Sequence, residues 1–314
     1  MKLAYLFPGQ GSQAVGMGAD LYAHSAAARS VFDEADELLG TKISTICLYG
    51  PEETLKETLY TQPAIFVCSV AALRALEELG APKPEATAGH SIGEYAACVA
   101  AGAFDFETGL HLVNRRAQEM HRTSIAAEGA MAAVLGMDPE AVVAACQAAE
   151  AEGAGIVDAA NFNGGGQVVI SGEPSGVARA SEIARERGAK KIVELKVSGA
   201  FHSRLMTPAV HSMAVELGKA SISDTTIPIV ANLTAEYETS ASDIRSNLAA
   251  QIDHSVRWEQ SIQRLAADGF DTFVEVGHGT VLSKLMKRLA PDAAALASGT
   301  MEEARAVAAL GGNA

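Results

Sequence analysis

The stretch ATAGHSIGEYAACVAAG, residues 86–102, constrains this chain more than any other. A short apolar run ends at Gly89, Ser91 stands two positions on, Gly93 two further, and an apolar helical stretch follows. Gly-x-Ser-x-Gly between a strand and a helix is the pattern of a nucleophile elbow. Its serine takes strained backbone angles so that the hydroxyl projects into a cleft, and side chains two positions to either side would collide. The helix that follows turns its N-terminal amides toward the same place, where negative charge can be stabilised. The spacing alone is weak, because a chain of this composition offers roughly 0.2 such matches by chance. The strand before and the helix after sharpen it; a purely structural turn is the competing reading.

The same strand-then-helix alternation extends through the chain. Residues 3–7 and 87–90 read as buried strands, and residues 26–39, 63–79, 92–101 and 105–122 as helices, which predicts a parallel sheet with helices on its faces. The middle changes character. Strands at 130–135, 155–160, 167–171 and 191–197 alternate with helices at 139–152 and 174–188 in the order β-α-β-β-α-β, the signature of a ferredoxin-like unit. The parallel pattern then resumes with strands at 227–231 and 272–276 and helices at 243–251, 258–268 and 280–289. The expected fold is therefore α/β: a large, α/β-hydrolase-like domain with a parallel sheet (residues 1–125 and 197–314) and an inserted small ferredoxin-like domain (126–196). The tail GGNA after Leu310 is expected to fray.

Composition narrows the function. The 314 residues are 48% hydrophobic, enough for a large core, and carry a formal net charge of −14, a poor match for nucleic acid. Cys47, Cys68, Cys98 and Cys146 are far apart, with neither a C-x-x-C pair nor zinc spacing, and read as reduced, mostly buried thiols. The N-terminal apolar run breaks at Pro8, too early for a signal peptide, and no apolar stretch approaches the ~18 residues of a membrane span. A soluble, cytoplasmic protein without metal or redox cofactor, acting as a monomer, is expected.

A nucleophilic serine needs a base. Of eight histidines, His90 adjoins Ser91 but diverges from it at a sharp turn, and His24, His111, His121 and His211 lie on helical stretches. His202, in VSGAFHSRLM, falls where the small domain gives way to the large one, and is the plausible base.

FPGQGSQ (7–13), TQPA (61–64), GHSIGE (89–94), the region of Arg116, NFNGGGQVVISG (161–172), GAFHS (199–203) and EVGHGTVL (275–282) occur in this order. Together they resemble malonyl-CoA:acyl carrier protein transacylases and the related acyltransferases of polyketide synthases, from Leu3 to about Leu289. The resemblance implies that Ser91 accepts the acyl group and His202 is its general base, oriented by the backbone carbonyl of Gln251 rather than by an aspartate. It implies an oxyanion hole from the backbone amides of Gln10 and Ile92, and a substrate site that includes Arg116, Gln62 and Phe201. Arg116 would grip the free carboxylate of a malonyl group through two parallel hydrogen bonds. Phe201 before the base and Ile92 after the serine would favour malonyl over methylmalonyl, roughly 10- to 200-fold for a pocket that lacks room for one methyl.

The implied reaction moves malonyl from malonyl-CoA to the phosphopantetheine thiol of acyl carrier protein, by a ping-pong route, for fatty acid synthesis. A discrete acyltransferase serving a polyketide synthase would use the same residues. A serine thioesterase or hydrolase is the rival from another class, disfavoured by Arg116 and by the lack of an acidic triad member. The chain departs from many relatives at Gly277-His278-Gly279, at Gly164 and Gly165, and at Ala117 after the arginine, where Arg115 is the competing side chain. The carrier being acidic, Lys284, Lys287 and Arg288, or Lys190 and Lys191, are candidate docking residues, with a merely solvated face as the alternative.

Overall fold

The computed structural model of the chain describes residues 1–197 and 199–313. Among these, ten strands follow one another: β1 Leu3–Phe7, β2 Ala86–Gly89, β3 Ala130–Leu135, β4 Val157–Gly164, β5 Gln167–Gly172, β6 Lys191–Glu194, β7 Ile229–Val230, β8 Tyr237–Glu238, β9 Thr272–Glu275 and β10 Ala294–Ala297. They form a six-stranded sheet in the order β10-β9-β1-β2-β7-β8 and a four-stranded sheet in the order β4-β5-β3-β6. The larger sheet is parallel except for its short β7–β8 edge. The smaller is antiparallel throughout and, with helices Pro139–Ala151 and Pro174–Glu186, makes the expected βαββαβ unit.

The continuous apolar run of β1 has a simple cause. Leu3, Tyr5 and Phe7 enter one buried cluster, with helix Thr58–Glu78, while Ala4 and Leu6 enter another with Trp258, Ile262 and Leu265. Alternate side chains point to opposite faces, and both faces are covered. Helices Thr58–Glu78 and Phe106–Ala126 approach closely because Gly109 faces Phe66: a Cβ there would lie 2.6 Å from the ring.

Several expectations need correction. The strand expected at 155–160 runs from Val157 to Gly164, with register shifts near Asn161 and Gly164. The strand expected at 191–197 stops at Glu194, and of 227–231 only Ile229 and Val230 form a strand, paired with Thr87 and Ala88 of β2. After residue 289 the chain adds β10 and helix Met301–Ala308, and the tail expected to fray forms a 3₁₀ turn, Ala309–Asn313; Ala314 lies outside the described residues. Helix Thr58–Glu78 is long and apolar enough to cross a membrane, with a mean hydropathy of 1.4, although no uninterrupted apolar run reveals it. Its Thr, Gln, Pro and Ser residues interrupt the run, and 83% of that window is buried inside the fold.

Candidate active site

β1 and β2 are adjacent and parallel, with Phe7 beside Gly89, so the loops leaving their carboxyl ends emerge together. Ser91 occupies the corner in left-handed backbone, φ 51°. A Cβ on Gly89 would lie 2.0 Å from the carbonyl carbon of Gly93, and one on Gly93 would lie 2.2 Å from the carbonyl oxygen of Phe7. Only glycine fits at either place, which is the steric logic of the elbow.

His202 arrives from the segment between β6 and the 3₁₀ turn Arg204–Met206, and it too has positive φ, 58°. Its backbone N–H donates to Ile252 O at 3.1 Å. The ring Nδ1–H donates to the carbonyl oxygen of Gln251 at 2.7 Å, which leaves Nε2 bare to accept the Ser91 hydroxyl at 2.7 Å. Burial, and then the Arg116 cation, press the imidazole pKa down to about 3, so the ring is neutral at ordinary pH.

Arg116 follows Gly109 by two turns on the inward face of its helix, together with Leu112, Val113 and Met120. Arg115, turned about 100° away, pairs with Gln118 and Glu119 at the helix surface. Arg116 is 1% exposed; its Nη1 donates to Gln62 Oε1 (2.6 Å) and its Nη2 to Ser91 Oγ (3.1 Å) and Gln251 Oε1 (2.8 Å). Among the described residues its Nε–H has no partner.

Ser91, His202 and Arg116 share one cavity of about 450 Å³ with Gln10, Ile92 and Phe201. It lies between the sheets: Met131, Ala133, Asn161 and Val169 of the small one form its far wall. Among the described residues, the backbone N–H groups of Gln10 and Ile92 have no hydrogen-bond partner. Gln62 and Gln251 are not in the lining. Gln62, expected in the substrate site, meets Arg116 there: its Oε1 accepts Nη1, and its amide N–H groups donate to Thr58 Oγ1 at 3.0 Å and Met120 Sδ at 3.5 Å.

The acyl transferase domain family matches residues 4–308. The chain belongs to this family. A malonyl CoA-acyl carrier protein transacylase of Bacillus subtilis is 46% identical over 288 residues, which cover 92% of this chain and 90% of that protein. Among solved structures, the malonyl CoA-acyl carrier protein transacylase of Coxiella burnetii matches with a TM-score of 0.95 at 36% identity, covering 98% of this chain and 97% of that one. A malonyl-transacylase solved in complex with a type II PKS acyl-carrier protein matches with a TM-score of 0.95 at 37% identity, over 99% and 100% of the two chains.

Several residues of this acyltransferase site escaped the sequence reading. Asn232, just after β7, accepts the Ser91 backbone N–H through Oδ1 (2.7 Å) and donates from Nδ2 to Gly89 O (2.6 Å). Glu94 is fully buried; burial, and then the Glu238 carboxylate, raise its pKa, opposed by hydrogen bonds from Asn232 and Gln251. The Gln251 side chain, as well as its carbonyl, belongs to the site. His90 does not reach Ser91 but bonds across the cavity to Asn163 Oδ1 at 2.8 Å. A buried Glu one turn past the elbow was the available signal; nothing local marks Asn232.

Proposed function

We propose that this chain moves a malonyl group from malonyl-CoA to the phosphopantetheine thiol of acyl carrier protein, through a malonyl ester on Ser91, in fatty acid synthesis. One observation carries the reading: a buried guanidinium lies 3.1 Å from a serine hydroxyl that already donates to a neutral imidazole. An acyl group with a free carboxylate at its far end needs that cation; a neutral ester does not.

The thioester carbonyl approaches Ser91 Oγ while the malonyl carboxylate meets Arg116. Ser91 Oγ attacks, its proton passes to His202 Nε2, and the carbonyl electrons move onto the oxyanion. The amides of Gln10 and Ile92 receive that oxyanion, a contribution of ~3 kcal/mol per donor. Collapse expels CoA thiolate, which takes the proton from His202. The carrier thiol then gives its proton to His202 and attacks the ester, and Ser91 leaves with the proton returned. Gln62 and Gln251 hold Arg116 rather than touching the acyl group, and Phe201 narrows the space beside the base. No metal or redox cofactor enters this chemistry. The enzyme acts as a monomer in the cytoplasm. The same steps serve a polyketide carrier, a reading supported by the likeness to the transacylase solved with such a carrier.

The experiment is a loading assay with malonyl-CoA and acetyl-CoA in competition, followed by mass spectrometry. One malonyl group is expected on Ser91, and none in Ser91→Ala. Arg116→Ala is expected to lose roughly 100-fold in malonyl transfer, two charged hydrogen bonds at ~1.5 kcal/mol each, while acetyl transfer gains relative to it. An unchanged acyl preference in that variant refutes the clamp.

A further inference from the structure

One buried carboxylate touches both halves of the site. Glu94 Oε1 accepts the backbone N–H of Asn232 at 3.0 Å, and Oε2 accepts Gln251 Nε2 at 2.9 Å. Asn232 fastens the elbow, through Ser91 N–H and Gly89 O. Gln251 carries the rest: its carbonyl holds His202, its Oε1 holds Arg116, and its Nε2 also donates to Ser91 O at 3.1 Å. These groups come from the helix after the elbow, the segment after β7, and the end of helix Ala241–Ala250. Glu94 is 0% exposed and absent from the cavity lining, so it meets no substrate.

We propose that Glu94 is the positioning residue that holds Ser91, His202 and Arg116 in one register, acting through Asn232 and Gln251; the proposal rests on the transfer reading above and deepens it. The donor pattern admits one arrangement. Each Glu94 oxygen faces a donor and accepts from it, while burial and the Glu238 carboxylate pull the Glu94 pKa up to about 8. A glutamine at 94 sets donor against donor at one end. Rotating the Gln251 amide to relieve it turns that amide's NH₂ toward the Arg116 guanidinium, which only donates.

The arrangement also shapes the charge. The hydrogen-bond partners of Arg116 are neutral: Gln62, Gln251 and Ser91. The Gln251 amide stands between the Glu94 carboxylate and the guanidinium. Among the described residues no carboxylate bonds the guanidinium directly, so it keeps its capacity for an incoming one. A directly paired arginine would have to surrender that partner first.

The test compares wild type, Glu94→Gln, Glu94→Asp and Gln251→Leu, the last keeping the backbone carbonyl under His202. Each is mixed with malonyl-CoA or acetyl-CoA, Ser91 acylation is timed by rapid-quench mass spectrometry, and melting is measured on the same samples. Glu94→Gln is expected to slow acylation at saturating malonyl-CoA roughly 10- to 100-fold while still melting cooperatively, with partial recovery in Glu94→Asp. Gln251→Leu is expected to lower the malonyl-over-acetyl preference by about 10-fold or more, a change that mere loosening of the fold would not produce. A folded Glu94→Gln enzyme acylating at the wild-type rate overturns the proposal. Should that variant fail to fold, an unchanged acyl preference in Gln251→Leu overturns it instead. Wild type that gains no malonyl on Ser91 brings down the transfer reading, and this proposal with it.

Discussion

At the scale of single residues, Ser91 and His202 share left-handed backbone that side chains other than glycine rarely adopt. Each is held there from outside: Ser91 by Asn232, His202 by Ile252 and Gln251. The neutral imidazole sets a pH expectation. Its pKa falls from 6.5 to about 3 on folding, so the base stays competent well below pH 6.5. The acid limb of the rate of Ser91 acylation should therefore lie well below pH 6.5, and a limb centred near 6.5 would contradict the burial of the ring. For stability the sign is the same: a depressed folded-state pKa contributes stability above pH 6.5 that is lost as pH falls toward about 3. Ser91 was legible because sterics demand glycines around it. Glu94 stood out only as a charge in an apolar stretch, and Asn232 not at all, because their bond joins residues 138 positions apart. A short motif brings Gln62 to the site, and only the fold shows that its Oε1 holds Arg116.

At the scale of elements, helix Phe106–Ala126 is the arm that delivers Arg116. Glycine inside a helix costs ~1 kcal/mol relative to alanine, yet Gly109 sits mid-face because Phe66 leaves no room for a side chain. Gly109→Val should force the two helices apart, with a loss of about 1–3 kcal/mol read as a lower urea midpoint. It should also weaken malonyl transfer, because Arg116 lies two turns along the same face. A variant of unchanged midpoint and rate would show that the helices adjust freely. Long periodic helices and the apolar β1 could be read from the chain. β10 could not: AALA has no β-branched residue, and it is a strand only because β9 offers it a parallel edge. The two-residue β7 and β8 carry no periodicity to detect.

At the scale of the molecule, the proposed transfer would bring an acidic carrier to a chain of net charge −14. Helix Val281–Leu289 presents Lys284, Lys287 and Arg288 to solvent, while Leu282 and Leu285 on its inner side line the cavity. Local charge at the mouth can thus offset repulsion between the two molecules as wholes. Lys287→Glu should raise the KM for the carrier several-fold, most at low ionic strength, with Ser91 acylation from malonyl-CoA far less affected. Equal losses in both half-reactions would place docking elsewhere.

The apolar part of the cavity lining has a consequence in time. Met120, Met131, Ala133, Val169, Leu195 and Val197 present carbon to the space around Ser91 and His202. A stray solvent molecule lodged against them would forfeit hydrogen bonds it holds in bulk. The covalently held acyl group can then outlive the gap between one visitor's departure and the next one's arrival, and the enzyme can serve as a short-term store of activated carbon.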